Sequence, residues 1–160
     1  MRKIILFSCL WVATMVAKAQ VARVDSPDNK LNLNVFVENG IPLYSVNYNG
    51  NVILENSPLG LVTNEGDFSS GMTFVGKSEG KIDKRYTQDK IKRSNVHYKA
   101  NTLTCTFTDS LERHISVCFH VSDNDVAFRY ELPVWGERRT CVVLDEMTGF
   151  RFPTLTTTFL

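Results

Sequence analysis

Three oxygen-bearing side chains crowd into one short stretch. Residues 57–68 read SPLGLVTNEGDF and place Asn64, Glu65 and Asp67 within four positions of one another. Amide and carboxylate oxygens at that density suit a hard cation, but calcium takes about six to eight oxygens. These side chains could supply part of such a shell and never all of it. Asn, Gly and Asp are also the residues that tight turns favour for backbone reasons. A solvated turn is the simpler reading, and no metal ligand is assigned.

Paired carboxylates are the tool for cleaving a glycosidic bond, and they must flank that bond from opposite sides. Glu65 with Asp67, Asp123 with Asp125, and Asp145 with Glu146 are neighbours in sequence. Proximity along a turn does not place two groups across a bond, so these pairs read as loop charge and no catalytic residue is assigned. His97, His114 and His120 are the only histidines. On one extended strand His114 and His120 would lie ~20 Å apart, and Cys118 and His120 ~7 Å, too far for a shared zinc ion. No P-loop, GxSxG, HExxH or EF-hand pattern occurs. Trp135, in PVWGE, stands between two strands and leaves two readings open. An exposed indole stacks on a sugar or a partner; a buried one plugs the end of a sandwich.

The elements that must hold these residues follow a period of two. Leu31, Leu33, Val35 and Val37 alternate with Asn32, Asn34 and Phe36. Asn39-Gly40 follows, then a return strand over 41–48, then Asn49-Gly50 and a strand from 51 to 55. Asn-Gly supplies positive φ at both centres of a type I′ hairpin turn. Residues 103–107, 115–121 and 126–132 alternate in the same way, with a turn at Ser122–Asp125. The pattern predicts an all-β, antiparallel β-sandwich. The sequence KIDKRYTQDKIKR at 81–93 alternates in charge sign and reads as an exposed surface segment. Residues 84–93 come nearest to a helical period and are too polar to dock.

The chain opens with Arg2 and Lys3, an apolar run of 14 residues from Ile4 to Ala17, and Ala17-Lys18-Ala19. That is a signal peptide with cleavage after Ala19, and the run falls short of the ~20 residues a spanning helix needs. Residues 20–160 then form one domain, exported to the periplasm or secreted. Cleavage removes three cations and no carboxylate, taking the formal charge from +1 to −2. A chain so near neutrality carries no overall electrostatic footprint for nucleic acid. Cys105, Cys118 and Cys141 remain, an odd number without a CxxC spacing, and read as scattered buried thiols. The last residues, FRFPTLTTTFL, stop inside a strand-like run, and the expectation is that the chain is part of a longer polypeptide.

Several ordered segments carry a family likeness. Ser26-Pro27-Asp28 precedes the first strand, Y-x-V-x-Y-N-G spans 44–50, and S-P-L-G-L spans 57–61. VHYKANTLTCTF, SDNDVAFRYELP and FPTLTTTFL continue the series. Together they resemble the N-terminal domain of glycoside hydrolase family 97, across essentially all of residues 20–160. The resemblance implies a mutarotase-like super-sandwich, incomplete here, that precedes a (β/α)8 barrel. In such enzymes the barrel carries the catalytic carboxylates, calcium assists, and the substrates are α-linked oligosaccharides such as those cut by α-glucosidases and α-galactosidases. The implied partner of this chain is that barrel, and the chain alone is expected to be inactive and to bind no cofactor. Asn64, Glu65, Asp67 and Trp135 are its candidate substrate- or interface-loop residues. The rival reading is a free-standing secreted carbohydrate-binding module acting through loop residues such as Trp135.

Overall fold

A computed structural model describes residues 19–88, 95–135, 137 and 140–157. The signal-peptide reading therefore falls outside the described residues. Four strands in chain order make the first sheet: β1 (Ala19–Asp25), β2 (Leu31–Glu38), β3 (Ile41–Tyr48) and β4 (Asn51–Pro58). A short sheet follows from β5 (Leu61–Thr63) and β6 (Gly66–Asp67), joined late in the chain by β11 (Val143–Glu146). The second large sheet has the order β10-β9-β8-β7, from β7 (Thr73–Thr87), β8 (Asn95–Thr108), β9 (His114–Val121) and β10 (Val126–Glu131). All pairings are antiparallel. No helix among the described residues is long and apolar enough to cross a membrane.

The two Asn-Gly turns form as their chemistry requires. Asn39 and Gly40 have φ of 52° and 76°, and Asn49 and Gly50 have 50° and 81°. They fix the register, so that Leu33 meets Val46 and Val35 meets Tyr44. Gly40 is held by space as well, because a Cβ there would lie 3.0 Å from the Gly71 backbone.

The alternating residues of both large sheets meet in one core. Leu33, Val35, Leu103, Phe107, Phe119 and Val121 are fully enclosed. Tyr44, Phe119 and Phe128 pack ring against ring at 5.6–6.2 Å between centroids. Each such side chain contributes about 1.5–3 kcal/mol by leaving water. The cysteines are free thiols. Cys105 faces the core, where burial pushes its thiol up to about 12. Cys118 lies opposite Thr104 while Cys105 lies opposite Val117, so the two thiols point to opposite faces of the sheet.

Several strands depart from the sequence reading. β1, β6 and β11 lie outside the predicted set, β6 within the stretch read as a turn. β7 incorporates residues 81–87 of the segment read as plain surface, so the described half of the helix-like stretch 84–93 is strand through Thr87; residues 89–93 lie outside the described residues. β7 is exposed along almost its whole length. Nothing in its side chains alternates, and backbone pairing with β8 makes it a strand.

Candidate functional site

β5 and β6 close a tight turn that sets the geometry of the 64–67 loop. Thr63 Oγ1 accepts hydrogen bonds from the backbone N–H of Glu65 (3.1 Å) and Gly66 (3.2 Å). Asn64 clasps the strand opposite: its N–H donates to Val142 O at 3.0 Å, and its Oδ1 accepts from Val142 N at 2.7 Å. Its amide Nδ2 donates to Glu65 Oε1 at 2.9 Å and orients that carboxylate. Asp67 Oδ1 accepts from Ser69 N (2.8 Å) and Ser69 Oγ (2.6 Å), an Asx turn.

One oxygen of each of the three oxygen-bearing side chains is thus occupied by the protein itself. Among the described residues, no group of three or more His, Cys, Asp or Glu side chains is placed to hold a metal ion. The loop does not fit a calcium shell, and no chemistry is routed through one here.

Beneath the loop lies an aromatic stack. Phe68 is buried, and Trp135 lies on it with centroids 5.0 Å apart and planes inclined by 10°. The Arg113 guanidinium sits 5.5 Å from the Phe68 centroid. Arg113 also donates to the Glu65 carbonyl and, through Nε and Nη2, to Asp109 Oδ2 at 2.8 and 2.5 Å. Burial alone would raise Asp109, but the bonds from Arg113 and the Leu111 N–H outweigh it and hold the carboxyl below its ordinary value. Gly66 admits this arrangement, since a Cβ there would lie 2.5 Å from the guanidinium.

Glu65 and Trp135, singled out separately in the sequence, do come together. They line a recess of about 190 Å³ with Leu132, Pro133, Val134, Thr140 and Cys141. Asn64 and Asp67 are not among its lining residues. The recess holds a single carboxylate among its lining residues, where glycoside cleavage uses two. Trp135 is half-buried with one face on Phe68, and its enclosed Nε1 has no acceptor among the described residues. One face of the indole is thus already taken by the protein. Asp123 and Asp125 lie in the β9–β10 turn, where Asp125 accepts from Ser122 Oγ at 2.7 Å and Asp123 from Asp28 N at 2.9 Å. His97 bonds Asp83 at 2.6 Å on the long hairpin, while His114 and His120 stay on β9.

Sequence reasoning missed Asp109, Arg113, Phe68 and Tyr130. Asp109 and Arg113 sit in the β8–β9 turn, where neither period nor motif marks them. Tyr130 was read only as an inward apolar residue. Its hydroxyl accepts from Gly60 N at 2.9 Å and meets Thr148 Oγ1 at 2.6 Å.

That bond belongs to a second feature, a strap over residues 142–155. It runs along β4 and β5 through Met147 N to Gly60 O (3.0 Å), Gly149 N to Pro58 O (2.9 Å) and Glu55 N to Arg151 O (2.8 Å). Tyr44 OH donates to Gly149 O at 3.2 Å. Much of the strap's apolar surface is bare. Val142, Val143, Leu144, Met147, Phe152 and Leu155 are exposed, Leu155 to 97%, while Phe150 is exposed in part and packs against Tyr44 and Phe128. Clustered apolar exposure of this kind marks an interaction surface.

Known proteins place this geometry. The family model described as "Glycosyl-hydrolase 97 N-terminal" matches residues 24–160. A "Probable retaining alpha-galactosidase" of Streptomyces bingchenggensis (strain BCW-1) is 28% identical over 134 residues, which make 84% of this chain and 20% of that protein. A crystal structure of a beta-arabinopyranosidase superposes with a TM-score of 0.81 at 52% identity, covering 84% of this chain and 22% of that one. A Glycoside Hydrolase Family 97 enzyme from Pseudoalteromonas sp. strain K8, in complex with acarbose, superposes with a TM-score of 0.76 at 26% identity, covering 83% and 20%. The chain spans about a fifth of the length of these relatives.

Proposed function

Because the chain belongs to the glycosyl-hydrolase 97 N-terminal family, we propose that it is the bracing sandwich of an exported α-glycoside hydrolase whose chemistry resides in a separate catalytic barrel. One observation carries this reading. The family match takes in nearly the whole chain, while the relatives are about five times as long. The strap supports it from the physical side, since seven exposed apolar side chains in one segment suit a large, permanent interface better than open solvent. The recess supports it too, because Glu65 is the one carboxylate among its described lining residues.

In this reading residues 142–155 lie against the catalytic domain, and the Glu65–Trp135 end helps to shape its entrance. The catalytic carboxylates and any calcium belong to the barrel. The leader of residues 1–19 directs export to the periplasm or beyond. The substrate class is drawn from the relatives' names. Those names span an alpha-galactosidase, a beta-arabinopyranosidase and a family 97 enzyme in complex with acarbose. We place the parent enzyme among family glycosidases of α-linked sugars, α-glucosidases and α-galactosidases both included.

Sequencing the transcript beyond codon 160 tests the proposal. It predicts an open reading frame continuing into a (β/α)8 domain with paired acidic residues. An in-frame stop directly after Leu160 would overturn it.

A further inference from the structure

Formal charge is unevenly divided along the chain. Residues 81–99 hold seven Lys and Arg against two Asp, a net +5. The rest of the chain from residue 20 holds eight Lys and Arg against fifteen Asp and Glu, a net −7. The near-neutral total hides a basic segment on an acidic body.

Its described residues, 81–88 and 95–99, hold four of those cations against one Asp and also stand apart in the fold. β8 pairs with β9 only as far as Asn101, opposite Val121. Beyond that point β7 and β8 pair only with each other, through residues 82–87 and 95–100. The result is a two-stranded arm about 20 Å long. A lone two-stranded ribbon is marginal in water and gains from cover on one face.

The arm has two unlike faces, fixed by alternation along the register. One carries Asp83, Arg85, His97 and Lys99, with Asp83 bonded to His97 at 2.6 Å and 3.9 Å from Lys99. The other carries Ile82, Tyr86, Val96 and Tyr98, with Lys84 among them. Ile82, Val96 and Tyr98 are half-buried, and Tyr86 is exposed to 45%. At the root of the arm lie Asp28, Asp123 and Asp125. Asp123 accepts from the Asp28 backbone, and the Tyr98 phenol lies within the field of Asp125.

We propose that two copies of this chain pair through their β7–β8 arms, laid antiparallel with the Ile82–Tyr86–Val96–Tyr98 faces together and each basic arm over the acidic root of the other copy. One chain supplies both halves of the charge complementarity, and a twofold arrangement satisfies both at once. The pairing gives each ribbon the cover it lacks. It acts through faces rather than edges, because Lys77, Lys81, Asp83 and Arg85 along β7 discourage sheet extension. The inference stands on the arm alone and does not require the catalytic reading.

Sedimentation of the purified chain at low and high salt tests this. At about 20 mM sodium chloride a dimer is expected, and at about 0.5 M, where the screening length falls to a few ångströms, its dissociation constant should rise at least tenfold. Reversal of the cation on the pairing face by Lys84→Glu should leave a folded monomer at low salt, as circular dichroism will report. If the reversal disturbs the fold, the milder Lys84→Gln should still weaken the dimer about tenfold. Leu144→Gln on the strap should leave the salt-sensitive dimer intact. A monomer at low salt overturns the proposal, as does a dimer indifferent to salt or to the arm variants. So does a monomer whose arm instead binds heparin, which would make an acidic polymer the partner.

Discussion

The β7–β8 arm and the strap of residues 142–155 both leave the same sandwich, yet they are built from opposite chemistry. The arm is rich in Lys and Arg, and its strands hold each other without a second layer. The strap displays Val, Leu, Met and Phe, and it is anchored to the core through Tyr44 and Tyr130. Obligate interfaces are more apolar, and exchangeable ones more polar. On the two proposals above, the strap suits a permanent neighbour and the arm a partner that salt can release.

The largest expected effect separates their foundations. Tyr44→Ala removes a buried ring packed against Phe119, Phe128 and Phe150, together with the bond to Gly149 O. It should cost about 3–5 kcal/mol in denaturant unfolding and free the strap for proteolysis while leaving arm pairing in place. A loss under about 1 kcal/mol would show that the strap is not tied to the core.

Tyr130→Phe is a finer cut. It keeps the ring but strands the Gly60 N–H and removes the contact with Thr148. About 1–3 kcal/mol is expected, with faster amide exchange in residues 142–149. Unchanged exchange there would mean that the backbone bonds hold the strap without the phenol.

Smaller still is the effect of covering the strap with polarity. Leu144→Gln with Leu155→Gln should change unfolding free energy by less than about 0.5 kcal/mol per site, as surface changes do. It should nonetheless reduce the binding of an apolar dye and the tendency to aggregate. Undiminished dye binding would place the exposed apolar surface elsewhere.

The smallest effect is acidic. At the arm's root, Asp28 is held at about 2, first by the Ser26 hydroxyl and then by the Lys30 N–H. Asp83, on the arm, is lowered by its bond to His97. Both folded values lie below the ordinary 3.8. Their contributions are therefore complete above that pH and fade as pH falls through the folded values. Carboxyl chemical shifts should show Asp28 titrating near 2, with arm amides exchanging faster as Asp83 protonates and the core unmoved. A midpoint for Asp28 near 4 would break the assignment.

Much of the sandwich was readable from side chains, because half-buried strands must alternate. Leu33 and Val35, or Phe107 and Phe119, announce their faces, and Asn39-Gly40 announces its turn. β7 and β11 were not readable, since both are exposed and owe their form to backbone partners distant in sequence. The recess joined Glu65 to Trp135, a meeting across 70 positions that no local pattern encodes. Arg113 was silent for the same reason. Its role depends on Gly66 leaving room and on Phe68 lying beneath it. Net charge misled most, because a sum near zero concealed a basic arm on an acidic body.

The most direct measurement is a hydrolysis assay of the purified chain on nitrophenyl α-galactoside and β-L-arabinopyranoside. The account predicts release at the buffer rate, because Glu65 is the one carboxylate among the recess's described lining residues and two are needed. Saturable hydrolysis that disappears in Glu65→Gln would contradict it and make this domain a catalyst in its own right.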